Sequence, residues 1–161
     1  MGFLDKLFSR PVYSLYAPMA GRAVSVADVP DSAFSGGLLG KGIAVIPTDG
    51  RVLAPCDATV DVVFTTGHAV SLIADFGAEI LIHVGLSVTA RDSRFFAACV
   101  QSGQKVRRGE LLIEVDLPAA TGTGLDLTTP MLVTNASEYA QIQINTGADV
   151  TNSDVAVQLA K

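Results

Sequence analysis

An all-β fold, an antiparallel sandwich or barrel with a few short helical turns, is predicted by three observations. Short runs of Val, Ile and Leu recur along the chain, each closed by Gly, Pro, Asp or Asn. The runs repeat at intervals of roughly ten residues, the spacing of small sandwiches and barrels. Helix signals are few, and no heptad or low-complexity segment interrupts the pattern.

Taken in order, the elements begin with an N-terminal segment in which Phe3, Leu4, Leu7 and Phe8 fall on one helical face beside Lys6 and Arg10. Residues 1–13 therefore read as a flexible, amphipathic tail able to touch a membrane surface, ahead of one domain over residues 14–161. The myristoylation pattern fails because position 6 is Lys. Asp31-Ser32-Ala33-Phe34 can open a single helical turn. Strands are predicted at 42–47, 51–55, 58–64, 69–74 and 78–85, then at 104–106, 110–115, 130–135 and 154–159. Residues 95–101 read as a short helix stopped before Gly103, and 136–141 as another. The run Ala-Ala-Thr-Gly-Thr-Gly at 119–124 reads as a mobile surface loop.

Composition removes several function classes. Apolar residues make up 49% and charged residues 17% of 161, so the chain can build a packed core. Net charge is −5, and no basic cluster exceeds Lys105 with Arg107 and Arg108, which argues against a nucleic-acid binder. Mean hydropathy is +0.43, yet Asp75, Glu79 and His83 interrupt the longest apolar stretch, so no membrane span is predicted. Nor does the N-terminus carry an apolar core of signal-peptide length. Cys56 and Cys99 match no metal or redox motif and read as free thiols in a reducing compartment, Cys56 on an exposed turn.

The chain holds two histidines, His68 in Thr-Thr-Gly-His-Ala-Val and His83 in Ile-Leu-Ile-His-Val-Gly. A lone histidine in a strand is usually an ordinary hydrogen-bonded residue; two in consecutive strands can converge. Side chains alternate along a strand, so Ile80, Ile82 and Val84 share the core face while Leu81 and His83 point out. If the strand runs unbroken through Gly67, then Phe64, Thr66, His68 and Val70 share one face. A hairpin turning at Asp75-Phe76-Gly77 brings both histidines to its open end, about 5 Å apart across the strands, ringed by Phe64, Val70 and Leu81. Thr66 is placed to bond a ring nitrogen and fix a tautomer. Gly85 keeps the surroundings of His83 open to a docking partner.

A zinc hydrolase wants a third ligand, and no spacing supplies one. No Gly-x-Ser-x-Gly elbow supports a serine triad. A lipoyl- or biotinyl-type carrier, suggested by the Gly-x-x-Val-x-x-Gly pattern at 103–109, needs a modifiable lysine at a hairpin tip, and none stands there. A phosphorylatable histidine asks for less: one neutral imidazole free to attack in line, a second donor for the phosphoryl oxygens, and apolar walls against water.

Several motifs then resemble one family in the same order. They include Ala17-Pro18-Met19-Ala20-Gly21, Asp28-Val29-Pro30-Asp31-Ser32-Ala33-Phe34, residues 40–47, Val52-Leu53-Ala54-Pro55-Cys56-Asp57, Thr66-Gly67-His68-Ala69 and Leu81-Ile82-His83-Val84-Gly85. Residues 103–109, Thr129-Pro130 and Thr134-Asn135 continue the match. From about Ser14 onward the chain resembles the glucose-type enzyme IIA domain of the bacterial sugar phosphotransferase system.

The resemblance implies an antiparallel β-sandwich of the barrel-sandwich, duplicated-hybrid-motif type. It implies that His83 accepts a phosphoryl group from the histidine-containing phosphocarrier protein and passes it to a cysteine on the IIB domain of a membrane sugar permease. His68 would stabilise the phosphoryl group, and Thr66 would hold the tautomer of His68. Phe34, Phe64, Val70 and Leu81 match the docking surface, with Asp31 as an acidic docking residue. No cofactor is implied beyond the covalent phosphohistidine, and zinc enters only between His68 and His83 in some relatives docked on a regulated enzyme. The implied setting is cytoplasmic, with the N-terminal tail reaching the inner face of the membrane, and regulated enzymes or transporters are further candidate partners. Glucose, N-acetylglucosamine and β-glucoside permeases all remain open. The alternatives are a zinc-dependent barrel-sandwich hydrolase and a regulatory binding module without phosphotransfer. After the active histidine the family pattern Gly-Ile-Asp-Thr-Val is replaced by Gly85-Leu86-Ser87-Val88-Thr89, and Phe95 replaces a glycine. Ser87 replaces an acidic residue that helps dock a basic partner; both departures leave the histidine pair alone and bear on partner identity and transfer rate.

Overall fold

Alternating burial explains why the predicted runs pair into sheets. The computed structural model describes residues 11–161; the amphipathic segment of Phe3 to Phe8 lies outside them. Strands β1 (Tyr13–Tyr16), β2 (Gly21–Ser25), β3 (Lys41–Pro47), β4 (Arg51–Leu53), β5 (Ala58–Val63), β6 (Ala69–Ala74) and β7 (Glu79–His83) form the first half. The second half holds β8 (Phe96–Ala98), β9 (Lys105–Val106), β10 (Leu111–Val115), β11 (Thr129–Val133), β12 (Gln141–Ile144), β13 (Asp149–Val150) and β14 (Val155–Ala160). All described pairings are antiparallel.

An eight-stranded sheet runs β13-β2-β3-β11-β7-β6-β5-β9, and two three-stranded sheets, β1-β14-β12 and β4-β10-β8, accompany it. The fold is thus the expected antiparallel β-sandwich. Ile43, Val45, Ile80, Ile82, Leu72 and Met131 on the inner face of the large sheet join Leu15, Leu112, Ile113 and Leu159 of the smaller sheets in the main core. The opposite face of the large sheet carries a smaller cluster, in which Ala44 and Leu132 are covered by Val26, Val29, Phe34 and Leu86. Phe34 reaches this face from α1 (Ser32–Ser35), a single turn capped by the Asp31 side chain accepting from the Ala33 N–H at 3.0 Å, as the sequence predicted.

Five expectations are corrected. Residues 95–101 are not a helix: a 3-10 turn spans Ala90–Phe95, and the chain then extends into β8, with Phe96 opposite Val115. The turn starts where the Asp92 carboxylate accepts the Thr89 N–H at 2.9 Å, so the helical signal lies upstream of where the Phe-Ala run suggested it. Residues 119–124 fall largely within α2 (Leu117–Gly122), with Asp116 as N-cap, Pro118 in the first turn and Ala120 fully buried. Of 136–141 only Ala136–Glu138 is helical, a 3-10 turn, and β12 follows. Cys56 is buried, and burial pushes its thiol up to about 12, which makes it inert; Cys99 is exposed. Tyr13 belongs to the body, in β1 opposite Leu159.

Candidate functional site

His83 ends β7 and His68 immediately precedes β6, so the β6-β7 hairpin delivers both to its open end, with Ala69 opposite His83. The ladder continues past the strands, since the Val84 N–H donates to the His68 carbonyl at 2.7 Å. Ile80, Ile82 and Val84 are buried against the core, while Leu81 and His83 stand half-buried on the outer face, as the alternation predicted. His68 does not arrive on a continuous strand. The chain turns at Thr65–His68, Gly67 has φ +77°, and its N–H closes onto the Phe64 carbonyl at 2.8 Å. That turn shifts the parity by one residue. Val70 consequently lies opposite Ile82 in the core, fully buried, and does not belong to the docking surface.

Hydrogen bonds thread the pair into one chain. His83 Nδ1 lies 2.8 Å from the Gly85 carbonyl, which can only accept, so Nδ1 carries the proton and Nε2 a lone pair. His68 Nε2 lies 3.2 Å from His83 Nε2 and must therefore donate to it. His68 Nδ1 is then an acceptor, and the Thr66 hydroxyl donates to it. A single carbonyl thus sets the proton position on both rings. The rings meet edge to face, with centroids 4.6 Å apart and planes at 87°.

Burial is the main reason both rings resist protonation. His68 is pushed down to about 4, by burial first and by His83 second, against the opposing pull of Asp92. His83 is also lowered by burial, with the Gly85 carbonyl and Asp31 pulling the other way. Both imidazoles are neutral at neutral pH. Phe34 tilts against His83 at 5.1 Å between centroids, Phe64 stands edge-on to both rings at 5.8 and 6.4 Å, and Phe96 lies 6.0 Å from His68.

A cavity of about 430 Å³ opens over His83, walled by Asp31, Phe34, Leu39, Phe64, Leu81 and Val88 among others. Of the expected docking residues, Phe64, Leu81 and Asp31 stand at this opening. Phe34 is only 4% exposed and serves as a wall rather than a rim. Gly85 is buried: its contribution is the carbonyl on His83, not open space. The sequence reading missed Leu39, Val88, Phe96 and Asp92. The exposed Leu38-Leu39 pair between Gly37 and Gly40 and the Thr-x-x-Asp cap at 89–92 were the signals available for two of these sites. Among the described residues, no group of three or more His, Cys, Asp or Glu could hold a metal ion. The pair alone supplies two of the four ligands a zinc site needs, which leaves the zinc-hydrolase alternative without support.

Fold and site together define a β-sandwich with a neutral, aromatic-walled histidine pair on the outer face of its main sheet. Residues 13–139 match the family model for the phosphoenolpyruvate-dependent sugar phosphotransferase system, EIIA 1. The β-glucoside-specific EIIBCA component of Dickeya chrysanthemi is 45% identical over 130 residues, covering 81% of this chain and 21% of that protein. The glucose-specific EIIA component of Borreliella burgdorferi is 35% identical over 147 residues, covering 91% of this chain and 78% of that one. Glucose permease IIA from Mycoplasma capricolum superposes with a TM-score of 0.82 at 27% identity, covering 94% of this chain and 97% of the other. The chain spans roughly a fifth of the length of multidomain relatives such as the Dickeya protein. It belongs to the EIIA family of the sugar phosphotransferase system and is a phosphotransferase component of that kind. No helix among the described residues is long and apolar enough to cross a membrane.

Proposed function

We propose that the protein is a cytoplasmic phosphoryl carrier in which His83 Nε2 takes a phosphoryl group from the histidine-containing phosphocarrier protein and gives it to the IIB domain of a sugar permease. One observation carries this reading: the ring nitrogen left with a lone pair, His83 Nε2, is the one facing a donor, His68 Nε2–H, inside apolar walls. In the forward step the Nε2 lone pair attacks phosphorus in line. The P–N bond of the donor's phosphohistidine breaks as the P–Nε2 bond forms, and its electron pair returns to the donor imidazole. Nδ1 keeps its proton against Gly85 throughout, so no proton has to leave the attacking ring. The His68 N–H turns from the His83 lone pair to a phosphoryl oxygen, with Thr66 holding it in the donor tautomer. Positioning and a preorganised donor carry the rate. The second transfer repeats the displacement with a IIB cysteine thiolate as nucleophile, and the covalent phosphohistidine makes a cofactor unnecessary.

The relatives are named as β-glucoside-specific and glucose-specific components, which favours a permease of the glucose, N-acetylglucosamine and β-glucoside class. The docking face is the exposed Phe64 and the half-buried Leu81 with Leu39 and Asp31, a mixed apolar and acidic surface suited to a partner with apolar and basic residues. Single-turnover transfer from the labelled phosphocarrier protein tests the assignment. His83→Ala takes no label, while His68→Ala takes label and fails to pass it on. A His83→Ala variant that still labels at a histidine sinks the proposal.

A further inference from the structure

The Gly85 carbonyl that sets the His83 tautomer belongs to a peptide unit prone to turning over. Gly85 has φ +86° and Ser87 φ +58°, and glycine moves between such conformations with little steric resistance. A flip of the Gly85–Leu86 peptide would face His83 Nδ1 with an N–H in place of a carbonyl and reverse the tautomer that the site needs.

The other end of this same peptide is held. The Leu86 N–H donates to the Asp126 carbonyl at 2.8 Å, and the Gly85 N–H donates to the Thr128 carbonyl at 3.1 Å. Both carbonyls come from the turn that precedes β11. The Asp126 side chain ties that turn: its Oδ1 accepts the Thr128 N–H at 2.9 Å and the Thr128 hydroxyl at 2.7 Å. This is an Asx turn, in which an Asp side chain accepts from the backbone two residues on, and it ends just before β11. Thr128 is 9% exposed and Leu127 5%, so the turn is pressed onto the body and its carbonyls have little freedom to leave.

We propose that Asp126 is a positioning residue for His83: its carboxylate fixes the 126–128 turn, whose main-chain carbonyls hold the 85–86 backbone and so lock the Gly85–Leu86 peptide with its carbonyl on His83 Nδ1. The bonds form one line, from the Asp126 carbonyl through the Leu86 N–H and Gly85 carbonyl to the His83 Nδ1–H. Members of such a line polarise one another. Asp126 touches no reacting atom, and its effect reaches His83 only through the backbone. The consequence for transfer rests on the carrier function proposed above; the lock itself does not.

The test uses the full chain and three variants, Asp126→Ala, Asp126→Asn and Thr128→Val. Imidazole nitrogen NMR reads the tautomer of His83, and single-turnover phosphoryl uptake reads its reactivity. Wild type and Asp126→Asn, which retains the accepting oxygen, show His83 protonated at Nδ1 alone. Asp126→Ala shows mixed tautomers, and its uptake falls about three- to tenfold, the weight of one ordinary hydrogen bond. Thr128→Val shifts both readouts in the same direction by less. Asp126→Ala with a pure Nδ1–H tautomer and wild-type uptake overturns the proposal. If Asp126→Ala does not fold, Thr128→Val decides, and an unchanged tautomer there overturns it. A wild type that takes up no phosphoryl group defeats the carrier function alone, because the tautomer comparison still stands.

Discussion

Thr66→Val isolates the weakest-looking link of the site. Thr66 is half-buried in the turn before β6, and its hydroxyl is the donor to His68 Nδ1. Valine keeps the shape and removes the donor. His68 is only 7% exposed, so its Nδ1 lone pair is left in a poorly hydrated place, at a cost of about 1–3 kcal/mol. The ring can escape that cost by moving its proton to Nδ1. Its Nε2 lone pair then faces the His83 Nε2 lone pair at 3.2 Å, and the N–H that should meet the phosphoryl group is gone. Either way the free energy falls on the donor tautomer, and about 1–3 kcal/mol corresponds to a transfer rate about 5- to 150-fold lower. Thr66→Ser retains the hydroxyl and stays within about twofold of wild type, a small fraction of that energy. Rapid-quench measurement of label passing from the phosphorylated protein to a IIB domain gives the rate, and imidazole nitrogen NMR gives the tautomer. Thr66→Val with wild-type transfer and His68 still protonated at Nε2 refutes the reasoning, because the hydroxyl would then hold nothing.

Acid should weaken the fold through the same pair. The unfolded chain protonates His68 near its ordinary 6.5, whereas the folded chain resists until about 4, so between those values the unfolded state binds more protons and stability falls as pH falls. The urea midpoint therefore drops between neutral pH and about pH 5, and His68→Asn reduces that drop; an equal drop in both proteins removes His68 as its source. Neighbouring residues on β7 should separate stability from function. Ile82→Ala, fully buried opposite Val70 and Met131, costs about 2–5 kcal/mol in urea unfolding. Leu81→Ala on the half-buried outer face costs about 1 kcal/mol and acts mainly on partner transfer; equal stability losses would mean that the two faces are wrongly assigned.

Much of this is legible in the sequence, and the boundary follows physical lines. The β7 alternation of Ile80, Ile82 and Val84 against Leu81 and His83 could be read because one face is buried and the other is not, which is the condition under which period two becomes visible. The hairpin at Asp75-Phe76-Gly77 and the Asp31 cap could be read because their turn chemistry is local. Val70 falls on the wrong face when parity is carried through Gly67, whose left-handed φ of +77° breaks the strand; nothing in residue identity says whether a glycine continues or turns. Phe34 joins the docking surface only through the family resemblance; that it is a wall follows from the sheet beneath it, Ala44 and Leu132, which no local pattern reveals. Gly85 draws notice in sequence for lacking a side chain, yet what matters is its carbonyl, and main-chain acceptors have no signature in sequence. Asp126 has no such signature for the same reason, since the role proposed for it runs through backbone groups about 40 residues away in the chain.

Charge around the pair explains how such a site could hold a phosphoryl group without trapping it. The described walls of the cavity over His83 include Asp31 and no lysine or arginine, and Asp92 is close enough to His68 to pull against its lowered proton affinity. On the carrier function proposed here, a dianionic phosphoryl group on His83 meets one neutral N–H and two nearby carboxylates. A guanidinium in the same position would hold the group more strongly, deepening the well from which the second transfer must climb. The neutral donor orients the group while leaving its transfer potential largely intact. The cation that eases the charge then has to arrive with the partner, so the attraction is strongest in the complex, where transfer occurs, and weakest in the free carrier. Raising the salt concentration should accordingly slow partner encounter and leave the His83 tautomer unchanged, since encounter is governed by screened surface charge and the tautomer by a buried carbonyl.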